Sequence, residues 1–163
     1  MMASGAISSI EAVQNSAMGS VILWSFGRGY QAEAVGRQPI FHFAFIVLPL
    51  VLHRPTLDIV AGTNLSSGIG KLVEKFERNR EDLLAVHSRT LAMRRLTLEA
   101  VSTGISTGLL SIIYENATLR ANDVKLRRPS EQIKPYMMAA EKLGRWTARV
   151  PAPTVFSMLR VYP

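Results

Sequence analysis

No cysteine occurs among the 163 residues. That excludes a disulfide framework, a thiolate metal site and a thiol nucleophile. Histidine is almost as scarce: His42, His53 and His87 stand at spacings that match no metal-ligand pattern with one another or with carboxylates. No G-x-S-x-G elbow is present, and no Asp or Glu sits in a setting that marks a general base. The opening MMASGAISSIEAVQNSAMGS lacks a basic segment ahead of an apolar one, so it does not read as a secretion signal, and a cytoplasmic setting is expected. Membrane-length apolar runs are missing too. The longest nearly uncharged stretch, Phe41–His53 (FHFAFIVLPLVLH), falls short of the about 20 residues a spanning helix needs.

Two near-matches to nucleotide motifs fail on their neighbours. Gly27-Arg28-Gly29-Tyr30-Gln31-Ala32 fits a relaxed G-x-G-x-x-A fingerprint, but Gly36 and Pro39 leave no room for the helix it requires. A helix end at Gly27 and Gly29 is the expected reading. Ser67-Gly68-Ile69-Gly70-Lys71 resembles a phosphate loop, yet Leu65 and Leu72 occupy the positions that need Gly and Ser or Thr. No catalytic residue, cofactor or metal is expected, and the chain does not read as an enzyme.

Apolar residues make up 48% of the chain, enough for a real core in one domain. The formal charge of +7 is unevenly placed. Residues 120–163 hold nine Lys or Arg against three Asp or Glu, and the rest of the chain is nearly balanced. An acidic partner surface or a nucleic-acid backbone suits that end, with a merely solvated basic face as the bland alternative. The candidate contact residues are Lys125, Arg127, Arg128, Arg145 and Arg149. For Arg145-Trp146 the competing expectation is a buried Trp with Arg at its rim.

Taken in order, residues 1–14 lack periodicity and are expected to form a partly ordered arm. Asn15 or Ser16 is the expected N-cap of a helix carrying Ala17, Val21 and Trp24 on one face and Met18, Ile22 and Phe26 on another. The central run reads as a strand Ile40–Ile46, from its period of two, followed by a helix Leu48–Arg54 with Pro49 in its first turn. Ile69, Leu72, Val73 and Phe76 recur at helical spacing. Asn79 is the expected cap of a helix near Glu81–Met93 whose Leu84, His87 and Leu91 share a face. Arg94-Arg95 marks a break, and Thr97 a cap for a helix through Leu98, Val101 and Ile105. Leu110–Tyr114 and Thr118–Arg120 read as a hairpin around Glu115-Asn116-Ala117. After a basic loop, a helix from about Pro135 to Val150 carries Ala139, Ala140 and Gly144, small residues that admit a close neighbour. Val155–Arg160 is a last short helix.

The expected fold is therefore α+β and mainly α-helical: a winged-helix-like core with a short β-hairpin plus N- and C-terminal helices. After the arm, residues 15–163 read as one domain, with the core over about 40–120 and a basic segment over 121–163.

Several stretches in order resemble the middle component of prokaryotic three-component ABC systems. They are Asn15 with Leu23-Trp24-Ser25-Phe26-Gly27-Arg28-Gly29-Tyr30, then Phe45-Ile46-Val47-Leu48-Pro49-Leu50-Val51-Leu52-His53. Gly104-Ile105-Ser106-Thr107-Gly108-Leu109-Leu110, Leu143-Gly144-Arg145-Trp146-Thr147-Ala148 and the closing Thr154–Pro163 follow. The resemblance implies a small non-catalytic adaptor encoded between an SMC-like ABC ATPase and an effector, in systems that oppose phage or other invading DNA. It supplies no catalytic residues. A homodimer and a non-specific DNA contact stay open as further partners, and a winged-helix DNA-binding transcriptional regulator is the alternative function.

Overall fold

The computed structural model describes residues 4–162, with side chains from Ser16 onward. Its helices are α1 (Ser4–Glu33), α2 (Ala44–Val51), α3 (Arg54–Ala61), α4 (Ile69–Glu77), α5 (Arg80–Ala92), α6 (Arg94–Ser106), α7 (Lys134–Ala148) and α8 (Ala152–Met158). Strands β1 (Leu110–Ile113) and β2 (Thr118–Ala121) pair antiparallel, Leu110 against Ala121 and Ile113 against Thr118. The molecule is thus mainly helical with one two-stranded sheet.

The expected strand Ile40–Ile46 does not form. Ile40 makes a single bridge to Thr118, Phe41–Phe43 form a 3-10 turn, and α2 begins at Ala44. The reason is packing: Ala44 and Ile46 through Val51 are all buried, so α2 is apolar on every side. A short run of that kind carries no period to tell strand from helix. Pro49 lies inside α2 instead of in its first turn. Among the described residues no single helix is long and apolar enough to cross a membrane, and α2 and α3 meet at a bend of 100°.

α1 corrects two further expectations. Its backbone is already helical from Ser4, so positions 15 and 16 lie inside the helix and not at its start. Ser16 Oγ instead reaches across to α6, donating to the Glu99 carbonyl at 3.1 Å and lying 2.6 Å from Thr103 Oγ1. The side chains of the arm expected over 1–14 lie outside the described residues. Nor do Gly27 and Gly29 stop the helix, which runs on to Glu33 and ends where Val35 and Gly36 take positive φ. These glycines serve close approach. A Cβ on Gly27 would lie 2.7 Å from Ala121 Cβ, and one on Gly29 would collide with the Glu141 carbonyl of α7. Across the same crossing, a Cβ on Gly144 would strike the Phe26 carbonyl. α1 is therefore the close neighbour that the small residues of α7 announced.

The core forms around this crossing. Phe43 stacks on Phe156 of α8 (5.3 Å between centroids) and meets Phe26 edge-on (6.1 Å), joining α1, the 3-10 turn ahead of α2, and α8. Ile69, Leu72, Val73 and Phe76 are buried as the spacing of α4 requires. Each such side chain contributes on the order of 1.5–3 kcal/mol on burial. The hairpin docks on α1 through Gln31, whose amide both donates to the Ala121 carbonyl (3.1 Å) and accepts its N–H (2.8 Å).

Two expected caps turn out otherwise. Asn79 donates its amide to Asp82 (2.9 Å) and caps no backbone N–H. Thr97 sits inside α6, fully buried. The face of α5 is also displaced by one position. Leu83, Val86 and Thr90 are buried, whereas Leu84 and Leu91 face solvent.

Candidate functional site

The basic segment begins at a firmly tied corner. Asn122 donates its backbone N–H to the Leu109 carbonyl (2.8 Å) and its side-chain amide to the Gly108 carbonyl (2.9 Å). The Trp24 indole N–H donates to the Asn122 carbonyl at 2.9 Å. Arg28 lies over the Trp24 ring and pairs with Asp123 at 3.4 Å. From this anchor the chain runs to α7 with no regular structure. Leu126 turns in against the core. Lys125, Arg127 and Arg128 are exposed, and none makes an ion pair or side-chain hydrogen bond among the described residues. Arg120, on β2, adds a fourth exposed cation nearby. Sequence reasoning passed over it, although the alternation of a hairpin strand puts it opposite Leu119 and Ala121.

Arg145 and Arg149 are placed differently. Arg145 in the last turn of α7 and Arg149 just past its end both converge on Glu33 at the end of α1, at 3.8 and 3.1 Å. Arg145 also pairs with Glu141 (3.4 Å), and Arg149 donates to the Leu65 carbonyl at 2.8 Å. That carbonyl accepts the Trp146 indole N–H as well, at 2.9 Å. Trp146 itself is fully buried, and the cation over its ring is Lys142, 5.9 Å from the centroid. The five candidate cations therefore divide into a solvent-facing loop group and a pair that fastens α7 to α1 and to the 62–68 loop.

A second pair of cations was not singled out from sequence. Lys142 Nζ donates to the carbonyls of Val60 (3.1 Å), Ala61 (3.3 Å) and Thr63 (2.9 Å), at the C-terminal end of α3. Lys75 donates to the Gly62 carbonyl (3.2 Å) and Thr63 Oγ1 (2.9 Å). The carbonyls that end a helix carry partial negative charge, which suits two ammonium groups. Burial, and then the neighbouring Lys75, lower the pKa of Lys142. Nothing local in the sequence points at the Lys142 contact, since its partners lie about half the chain away.

At the α2–α3 bend, His53 Nδ1 and Thr56 Oγ1 lie 2.9 Å apart. Burial first, then Arg89, push the imidazole pKa down, and Asp82 opposes them. Arg89 itself is lowered by burial, and its Nε and Nη2 are buried without hydrogen-bond partners. Among the described residues no group of three or more His, Cys, Asp or Glu could hold a metal ion.

Fold and surface together define a class: a small, mainly helical protein with a structural cation pair on Glu33 and a basic loop that makes no ion pair among the described residues. The particular family follows from comparison of the whole chain. The model of the ABC-three component (ABC-3C) system Middle Component 3 family matches residues 6–163, and the chain belongs to that family. Comparison with curated proteins and with solved structures gives no match.

Proposed function

We propose that this middle component is a non-catalytic adaptor that links an SMC-like ABC ATPase to an effector in a prokaryotic anti-phage defence system. Lys125, Arg127 and Arg128 form its electrostatic contact with an acidic partner surface or with DNA phosphates. The observation that carries the reading is the division among its cations. Arg145 and Arg149 spend their charge on Glu33, whereas the loop trio has no ion-pair or side-chain hydrogen-bond partner among the described residues. Membership of a multi-component family supports the adaptor role. Exposed cations clustered on one loop favour fast, salt-sensitive association.

A winged-helix DNA-binding transcriptional regulator is the second reading. It is favoured by the order α4, α5, α6, β1, β2, with the exposed Arg120 on the hairpin. One experiment separates the two: purification of the tagged chain co-expressed with the proteins encoded beside it, followed by a salt series on duplex DNA. Capture of an ABC ATPase is expected. Reversing all three charges (Lys125→Glu, Arg127→Glu, Arg128→Glu) should weaken capture or DNA binding at least tenfold, with no loss of stability. If DNA is the target, the slope of log K against log salt should fall by roughly 2–3. Unchanged binding of both sinks the loop contact. Tight DNA binding without any captured protein moves the assignment to the regulator.

A further inference from the structure

The residues after α8 lie along the molecule with few fastenings. Leu159 and Val161 are buried, whereas Tyr162 is 75% exposed. The turn between them is a helix-ending one: Arg160 takes φ 55°, and the Val161 N–H returns to the Phe156 carbonyl at 2.9 Å. Glycine is the usual residue at such a left-handed position, and an arginine there bears the steric cost of its Cβ. The course of the chain over residues 160–162 is therefore held against a local strain.

Beyond Val161 one side chain holds it. Tyr162 donates its N–H to His87 Nδ1 at 3.3 Å, and the two rings meet edge-on with centroids 5.5 Å apart. Tyr162 makes no other hydrogen bond among the described residues. A backbone N–H only donates, so Nδ1 is the bare nitrogen and the ring proton sits on Nε2. The same tyrosine walls three hollows. One of about 420 Å³ includes Phe45 and Leu91, one of about 490 Å³ includes Ile40 and Pro153, and one of about 670 Å³ includes Val73 and Leu83. Residues 160–162 are a strap that partitions them.

We infer that this strap is a latch that opens when His87 takes up a proton. An imidazolium donates from both ring nitrogens, so protonation removes the acceptor of the Tyr162 N–H and sets one N–H against another. Histidine is the side chain whose charge changes between about pH 5 and 8. The groups around His87 supply no counter-ion. His42 of the 3-10 turn and Arg94 at the start of α6 line the same hollow, and no carboxylate does among the described residues. On the far side of the strap, Glu74 and Glu77 of α4 line the largest hollow together with Arg160. With the latch open, Tyr162 leaves the wall of all three hollows, and release of the strain at Arg160 favours that state. The inference concerns contacts within the chain and stands apart from the adaptor reading.

The test is NMR on the full chain at about pH 7.5 and 5.5, on either side of the ordinary histidine range. The heteronuclear 1H–15N NOE of Val161 and Tyr162 and the ring-to-ring NOE between His87 and Tyr162 report the strap. In wild type, Tyr162 should be as ordered as α8 at the higher pH. At the lower pH its heteronuclear NOE should fall to that of an unstructured segment and the ring contact should vanish, with the amides of Phe76 and Val86 unmoved. His87→Asn puts a carbonyl oxygen near the Nδ1 position and does not titrate, so its strap should stay ordered at both values. His87→Lys offers a permanent charge and no acceptor, so its strap should be open at both. His42→Asn should respond as wild type. A wild-type strap with the same order at both pH values overturns the inference, as does loss of order at low pH in His87→Asn or an ordered strap in His87→Lys. Loss of the pH response in His42→Asn overturns it in favour of His42. Should a His87 variant fail to fold, wild type and His42→Asn decide between them.

Discussion

Arg89 is the residue least at ease in this fold. Its Nε and Nη2 are buried without partners, and its charge helps to hold the His53 imidazole below the ordinary value of 6.5. Because the folded pKa of His53 is the lower one, the unfolded chain takes up the proton first as the pH falls. Stability from this group is therefore full above about 6.5 and is lost as the pH drops toward the folded value. Replacing Arg89 by Met removes the repulsion and two unsatisfied donors together. Histidine titration by NMR should then show His53 moved upward, with burial still keeping it below an exposed histidine. Urea unfolding between pH 7.5 and 5.5 should show a shallower loss of stability than in wild type. At pH 7.5 stability should be unchanged or higher by up to about 1 kcal/mol, because unpaired buried donors cost free energy. A clear loss at pH 7.5 would mean that the guanidinium is satisfied in solution.

Among the elements, the crossing of α1 over α7 decides most of the architecture. Gly29 and Gly144 let the two backbones meet where any side chain would strike a carbonyl. Gly144→Ala should cost about 1–3 kcal/mol, as overpacking does, and should lower the melting temperature by several degrees. Gly70→Ala is the contrasting control. Gly70 lies in the first turn of α4, and its nearest contact would be Met158 Cε at 3.8 Å. That change should leave the melting temperature level or slightly raised. The small residues of α7 were legible as an approach site from sequence, and the glycines of α1 were not. A glycine pair looks the same in a sequence whether it ends a helix or makes room for another backbone.

For the molecule as a whole, the excess of positive charge does two kinds of work. Arg145 and Arg149 clamp α7 to Glu33 and to the Leu65 carbonyl, and the loop trio faces solvent. Arg145→Gln with Arg149→Gln should lower the melting temperature, since half-buried pairs around one carboxylate contribute about 1 kcal/mol. Partner capture by that variant should match wild type in pull-downs. The loop variant should behave in the opposite way. A double variant that binds normally but melts early would establish the division, and one that loses partner capture at full stability would refute it.

Composition and periodicity by themselves determined that the chain is mainly helical, where α4, the hairpin and α7 lie, and that the C-terminal quarter is the basic one. Ordered stretches along its length carried the family resemblance. These are local or additive properties, readable without knowing what touches what. Tertiary structure alone decided that Ala44–Val51 coils as a helix, since a segment buried on nearly every side has no period to display. It decided which cations are free, because Glu33 and Leu65 lie more than 80 residues from Arg149. It decided too that Leu84, Leu91 and Leu98 face outward. A seven-residue stripe of leucine looks alike against a core and against solvent; on α6 the close packing against α1 gives the inner face to small residues, and on α5 Leu83 and Val86 take the inward positions.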